Sequence, residues 1–143
     1  MIHFQGTETF PAPPEVVSAK LSDAGFLAAN LPETHADEMT PDRATWKVRP
    51  KLQFLSGDLD TVCAVVDRGP VHVKYRVEVK GVGSGSTVDA ELKFAPTEGG
   101  TLVTWTGDIV SMSGLLKLAP KGLVQATAQK VIADCWAALK AKV

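Results

Sequence analysis

The sequence predicts an α+β domain of the helix-grip type, in which a curved antiparallel sheet wraps around one long C-terminal helix. Two patterns lead to this fold class. Segments of alternating apolar and polar residues, separated by short turns rich in glycine and proline, occupy most of the chain up to residue 111. Beyond that point apolar residues recur every three or four positions, as in an amphipathic helix.

The composition fits one globular domain spanning residues 1–143. Hydrophobic residues make up 45% of the chain and charged residues 22%, close to globular averages, which argues against extensive disorder. The net charge of -1 gives no basic surplus of the kind that nucleic-acid binding needs, so we expect no nucleic-acid partner. The nearest basic cluster, Arg43 to Lys51, is interpreted as the solvated face of a strand, with a nucleic-acid groove as the less favoured alternative.

The two cysteines and the chain ends indicate a reducing, cytoplasmic location. Cys63 and Cys135 lie among apolar neighbours, which is typical of buried free thiols and not of a disulfide framework. The N-terminus lacks the pattern of a signal peptide. No run of 18 apolar residues occurs, so we expect no integral membrane segment.

The first strand is predicted at residues 2–10 and is followed by two short helices. Pro14 suits the first turn of one helix, where its missing N–H costs nothing. Ser22 or Asp23 is suited to cap the second. The polar residues 30–42 are predicted to form a loop or the irregular beginning of a strand.

The clearest strand signal lies at residues 71–80. Apolar and charged residues alternate strictly there, which predicts a half-buried strand with one solvated face. Turns are predicted at residues 67–70, 81–86 and 96–100, so that the strands form a meander. The predicted inward row of the clearest strand is Val71, Val73, Tyr75, Val77 and Val79.

The helical period begins after Gly114 and continues beyond Pro120. Its apolar stripe needs a surface about as long as itself, and the inward rows of the strands supply one. The stripe consists of Leu123, Val124, Ala128, Val131, Ile132, Cys135, Trp136 and Leu139.

Several short motifs accompany this order of elements. They are Phe4-Gln5-Gly6 with the proline-rich residues 11–16, Phe54-Leu55-Ser56-Gly57, the glycine turn at 81–85, and the strand at 99–105 that begins Gly-Gly-Thr. Together they resemble the START-like (SRPBCC) superfamily and, within it, the family of the G-type subunit of carbon monoxide dehydrogenase. The chain departs from that family pattern at Glu33, where glycine is favoured after the proline.

The resemblance implies a hydrophobic cavity between the sheet and the C-terminal helix, with a quinone or another isoprenoid-like lipid as one occupant. It also implies a redox enzyme as a possible protein partner. An entrance is expected near residues 30–42 and the segment 111–120, where Gly114 and Pro120 would permit movement. We expect no cofactor, and the oligomeric state is left open.

The inward rows and the helix would line such a cavity, whose walls should be mostly apolar with a few polar groups. Tyr75 is the only tyrosine, and its hydroxyl needs a partner if it is buried. The alternative is that these residues pack a solid core. The candidate ligand-binding residues are Trp46, Phe54, Cys63, Tyr75, Phe94, Trp105, Leu116, Val124, Ala128 and Val131.

No catalytic or metal-binding signature stands out. His35 lies among carboxylates, but solvation explains that loop better than a metal site, and no zinc-ligand spacing occurs. The glycines at 81–85 join two strands, whereas phosphate-binding loops lead into a helix. Asp58 and Asp60 are interpreted as a solvated strand edge.

Three functions remain after these exclusions. A carrier or binder of a hydrophobic small molecule is favoured, because the inward rows are almost entirely apolar. A small cyclase-, hydratase- or hydrolase-like enzyme acting on an aromatic or lipid-like substrate is the alternative, and it would need polar groups of perturbed pKa inside the cavity. An accessory role for a larger redox enzyme is supported by the resemblance alone.

Overall fold

A computed structural model describes residues 2–31, 34–48, 58–81 and 83–143 of the chain. Within these ranges the predicted helix-grip fold is confirmed: one antiparallel sheet curves beneath a long C-terminal helix. The elements are β1 (Ile2–Phe10), α1 (Pro14–Leu21), α2 (Ala24–Asn30), β2 (Thr34–Met39), β3 (Arg43–Val48), β4 (Leu59–Gly69), β5 (His72–Gly81), β6 (Ser84–Thr97), β7 (Gly100–Gly114), α3 (Leu115–Leu118) and α4 (Lys121–Lys140).

The sheet has the strand order β1-β7-β6-β5-β4-β3-β2, with every neighbouring pair antiparallel. Strands β2 to β7 form a meander. Strand β1 pairs with β7 at one edge, while β2 forms the other edge, so α1 and α2 carry the chain from edge to edge. Register shifts between Val65 and Asp67 and between Thr87 and Val88 are irregularities that bend long strands.

The two short helices are held at their ends as the sequence predicts. Pro14 occupies the first turn of α1. Of the two candidate caps for α2, Asp23 serves, because its Oδ1 accepts a hydrogen bond from the backbone N–H of Phe26 at 3.2 Å. Arg68 on β4 then ties this region to the β2–β3 turn, since Nη2 donates to the carbonyl oxygens of Ser22 at 2.8 Å and Pro41 at 2.7 Å.

Two local predictions need correction. The segment for which a loop was one alternative contains strand β2, which pairs with β3. The turn expected at residues 67–70 lies later, because Gly69 pairs with His72 and only Pro70 and Val71 remain between the strands. Val71 therefore sits in a two-residue hairpin turn and is 59% exposed, not on the inward row of β5.

The segment expected to move as a gate is built into regular structure. Residues 111–114 continue β7 as far as Gly114, and α3 follows directly. The predicted strand around Phe54 and the motif that begins with it lie outside the described residues.

Helix α4 packs on the inner face of the sheet through Val124, Trp136 and Leu139, which are buried. The Trp136 ring meets Phe10 edge-on at a centroid distance of 6.1 Å and Trp105 at 6.0 Å. Such aromatic contacts add to the burial of apolar area and fix the height of the helix above β1 and β7. None of the helices in the described ranges is long and apolar enough to cross a membrane.

Candidate ligand-binding site on the inner face of the sheet

The inner face of the sheet holds two apolar clusters. The larger one surrounds Tyr75 and Trp136, and the smaller one contains Ile2, Phe4 and Val124. Trp105 on β7 and Ile132 on α4 are only partly buried, and both pack against the two clusters. They therefore form the boundary at which one cluster ends and the other begins.

Space remains unfilled beside this boundary. Gly107 lies two residues after Trp105 on β7, so both positions face inward. The backbone of Gly107 is buried, yet a Cβ atom at this position would meet no heavy atom within 4 Å. Because tightly packed interiors leave few such gaps, the centre of β7 borders an interior void.

The walls around this void are apolar and incompletely covered. Val77, Ala90, Ile109 and Met112 belong to the partly buried residues that pack against the two clusters. In the cross-strand register, Ala90 faces Gly107 and Val88 faces Ile109. An apolar surface on β5, β6 and β7 is thus only partly covered, as a ligand-binding wall requires.

Trp105 brings one polar group to this surface. Its indole lies against β1 at Gly6, where a Cβ atom would come within 2.8 Å of Trp105 Cζ2 and 3.1 Å of Nε1. The Nε1–H is buried and has no hydrogen-bond partner among the described residues. A buried N–H of tryptophan usually finds an acceptor, so this donor can receive one from a bound molecule.

Tyr75, in contrast, already has its partner within the protein. Its hydroxyl donates to the carbonyl oxygen of Leu21, the last residue of α1, at 2.6 Å. Burial raises the pKa of Tyr75 above its usual range, and the neighbouring Cys63 adds to the increase. The hydroxyl stays protonated and ties β5 to the end of α1.

The two thiols are equally inert as acids. Burial raises the pKa of Cys63 to about 12 and the pKa of Cys135 to about 11. The thiolate is the reactive form of cysteine, so neither residue is prepared to act as a nucleophile near neutral pH. Both are free cysteines, as the sequence indicates.

No aspartate, glutamate, histidine, lysine or arginine is buried in the described part of the chain. Glu8 sits at the edge of β1 and meets Lys140 of α4 at 2.7 Å. The described residues also bring together no group of three metal-binding side chains. The site as described can bind an apolar molecule and donate one hydrogen bond, and it offers no charged group for acid–base chemistry.

Most of the predicted ligand-binding residues face the interior. Trp46, Cys63, Tyr75 and Phe94 are buried in the larger cluster, away from the void. Trp105 borders the void, and Val124 and Ala128 belong to the smaller cluster or pack against it.

Three predicted residues do not join this group. Leu116 lies on α3, which has no buried residue. Val131 is 46% exposed on the flank of α4, so the prediction that it belongs to the inward stripe is wrong. Phe54 lies outside the described residues.

Sequence reasoning did not select Gly107, Ile109, Met112 or Ile132 for the site. Ile109 and Ile132 carried a usable signal, because each stands in an inward row predicted from periodicity. Gly107 carried none, since a glycine in a strand is compatible with many local arrangements.

The outer face of the sheet is polar. Two open depressions of about 310 Å³ and about 300 Å³ lie there, lined largely by charged residues that also pair across strands. Arg76 binds Asp89 in a bidentate pair at 2.8 and 3.0 Å, and Lys74 approaches Glu91 at 3.8 Å. These depressions suit solvent better than an apolar ligand.

Sequence comparison identifies the family. Residues 1–143 match the family described as polyketide cyclase / dehydrase and lipid transport. The chain belongs to this family. No curated protein is similar to it at a significant level. The resemblance to the START-like superfamily is thereby confirmed, whereas the narrower resemblance to the G-type subunit of carbon monoxide dehydrogenase stays a prediction.

Solved structures of similar shape support the assignment to the polyketide cyclase / dehydrase and lipid transport family. A conserved protein from Geobacillus kaustophilus is 17% identical, with a TM-score of 0.85 over 99% of this chain and 94% of its own. A START superfamily protein from Mycobacterium smegmatis is 13% identical, with a TM-score of 0.69 over 99% and 96%. A protein from Chromobacterium violaceum is 14% identical, with a TM-score of 0.63 over 96% of each chain. At these identities the likeness concerns the fold.

Proposed function

We propose that this protein binds and carries an uncharged, mostly apolar small molecule between the sheet and α4. The observation that carries the proposal is the void beside Gly107, which lies within apolar walls in a fold otherwise packed by two clusters. Lipid transport is part of the description of the family. A carrier needs an enclosed apolar surface and no reactive group, which agrees with the described inner face.

The charge of the ligand follows from the walls. Transfer of an ionised group into an apolar interior is strongly unfavourable unless a partner of opposite charge awaits it. No buried charged side chain is found in the described ranges, so the buried part of the ligand is neutral. The Trp105 Nε1–H would orient it by donating to a carbonyl, ether or hydroxyl oxygen.

Two narrower possibilities belong to the same proposal. A quinone or isoprenoid-like lipid would meet these requirements, because its ring carbonyls accept hydrogen bonds and its remainder is apolar. Delivery of such a molecule to a redox enzyme is the role that the resemblance to the carbon monoxide dehydrogenase component adds. Co-purification of a quinone with the protein would support the first, and a stable complex with a redox enzyme would support the second.

A cyclase or dehydrase activity, which the family description also contains, has less support. Such reactions depend on a group that accepts or donates a proton beside the substrate. Tyr75 is engaged with Leu21 at 2.6 Å and its pKa is raised. Cys63 has a pKa raised to about 12, which leaves it protonated.

The experiment that tests the carrier function fills the void. Native mass spectrometry of the purified protein, followed by organic extraction, would reveal a co-purified apolar molecule. Gly107→Leu should then reduce the bound fraction at least tenfold, because its side chain would project into the ligand volume, and Gly107→Ala should have a smaller effect.

Gly122→Leu is the matched control for this test. A Cβ atom at Gly122 also meets nothing within 4 Å, but this residue is exposed on α4. Equal ligand retention by the two leucine variants, with both folded by circular dichroism, would contradict the proposed site.

A further inference from the structure

A group of exposed leucines lies where β7 gives way to α4. Leu115 is 49% exposed, Leu118 81% and Leu123 38%, and we call these three residues the leucine corner. Helix α3, which carries two of them, has no buried residue and rests against β6 and β7. Exposure of this degree is costly for a leucine in water, and clusters of such residues mark interaction sites.

The charge around the leucine corner has one sign. From Ile109 to Ala133 the chain contains Lys117, Lys121 and Lys130 and no acidic residue, although the whole protein has a net charge of -1. Lys117 and Lys121 are exposed and alternate with the leucines. The corner is therefore both apolar and basic.

Acidic groups at the same end of the sheet stand apart from the corner. Asp60 on β4 pairs in register with Lys80 on β5. Strand β4 is three strands from β7 in the sheet order, which corresponds to roughly 14 Å at the usual strand spacing. At physiological salt this separation exceeds the screening length, so the field at the corner is dominated by its lysines.

We propose that the leucine corner docks on an anionic lipid surface. Leucines that enter the boundary between headgroups and acyl chains, beside lysines that meet anionic headgroups, are the pattern of a protein that rests on a membrane. Leu118 protrudes from a short helix with most of its side chain in solvent. Three leucines also offer much less area than a stable protein interface buries.

The position of the corner relates it to the inner face. Ala119, between Leu118 and α4, packs with Met112 and Val124 in the smaller cluster. The docked surface would thus adjoin the end of the sheet at which the inner wall is only partly covered. Docking itself needs no bound ligand, so it can be tested separately from the proposed carrier function.

The test is co-sedimentation of the full chain with vesicles. We expect binding to vesicles of phosphatidylcholine mixed equally with phosphatidylglycerol, weak binding to phosphatidylcholine alone, and release by high salt. Leu118→Asp should lower the partition coefficient on the mixed vesicles by roughly tenfold or more, since a buried leucine would be replaced by a charge. Lys117→Gln should lower it about fivefold.

Val71→Asp provides a control of the same charge change, because Val71 is also strongly exposed but lies in the β4–β5 turn. It should bind the mixed vesicles as the parent chain does, and circular dichroism should find all variants folded. The proposal is overturned by absent binding, by equal binding to both vesicle types, or by equal loss in Leu118→Asp and Val71→Asp. Ligand binding measured without vesicles would be unaffected by any of these results.

Discussion

The indole of Trp105 lies over the backbone of Gly6, its paired residue across β1 and β7. A Cβ atom at Gly6 would stand 2.8 Å from Cζ2 of the indole, closer than such atoms approach in proteins. The absence of a side chain on β1 therefore determines where Trp105 rests. Through Trp105 it also determines the position of the one unpartnered donor that the described residues place on the inner face.

Gly6→Ala is expected to displace the Trp105 indole. Overpacking of this kind costs on the order of 1–3 kcal/mol of unfolding free energy, which urea denaturation would measure. The tryptophan emission should shift as well, because the indole loses its place against β1. Gly122→Ala is the control, since a Cβ atom there meets nothing within 4 Å; equal stability of the two variants would refute the contact.

Trp105→Phe should remove the hydrogen bond to the ligand while keeping an aromatic ring. The matched probes are benzophenone and diphenylmethane, which have similar size and differ in the carbonyl group. We expect the parent chain to prefer the ketone by roughly fivefold, the worth of one hydrogen bond. The variant should lose this preference, even if its affinity for both probes falls. A preference that survives the substitution would show that another group recognises the oxygen.

Tyr75→Phe should affect stability and not ligand recognition. The substitution leaves the buried carbonyl oxygen of Leu21 without its 2.6 Å partner, at a cost of about 1–3 kcal/mol in unfolding free energy. The ketone preference of the parent chain should persist, because the hydroxyl does not face the void. Thermal denaturation and the two probes above provide the measurements. Loss of the preference with unchanged stability would reverse the roles assigned to Tyr75 and Trp105.

The sequence predicted the framework of the fold because the framework depends on local patterns. Strict alternation identified β5, and a period of three to four residues identified α4. Pro14 and Asp23 marked the starts of the short helices, since proline geometry and side-chain capping act within a few residues.

The site was less predictable because its decisive contacts join distant parts of the chain. Tyr75 finds its acceptor 54 residues away at the end of α1, so alternation alone cannot tell a structural hydroxyl from a ligand-binding one. Val71 follows the alternation perfectly and is exposed, because the pairing of Gly69 with His72 sets the hairpin turn. The void at Gly107 results from the position of α4 above three strands, which no local pattern encodes.

The pKa of His3 offers a test of the outer face. Its Nδ1 lies 2.6 Å from Asp108 Oδ1 across β1 and β7, and this hydrogen bond raises the pKa above the ordinary 6.5, with a smaller contribution from Gln5. Because the raised value belongs to the folded state, the ion pair stabilises the fold fully below pH 6.5. Its contribution disappears as the pH rises through the pKa of folded His3. Titration of the imidazole by NMR should give a midpoint above 6.5. Asp108→Asn should bring this midpoint down and weaken the corresponding pH dependence of stability; an unchanged midpoint would mean that the pair does not persist in solution.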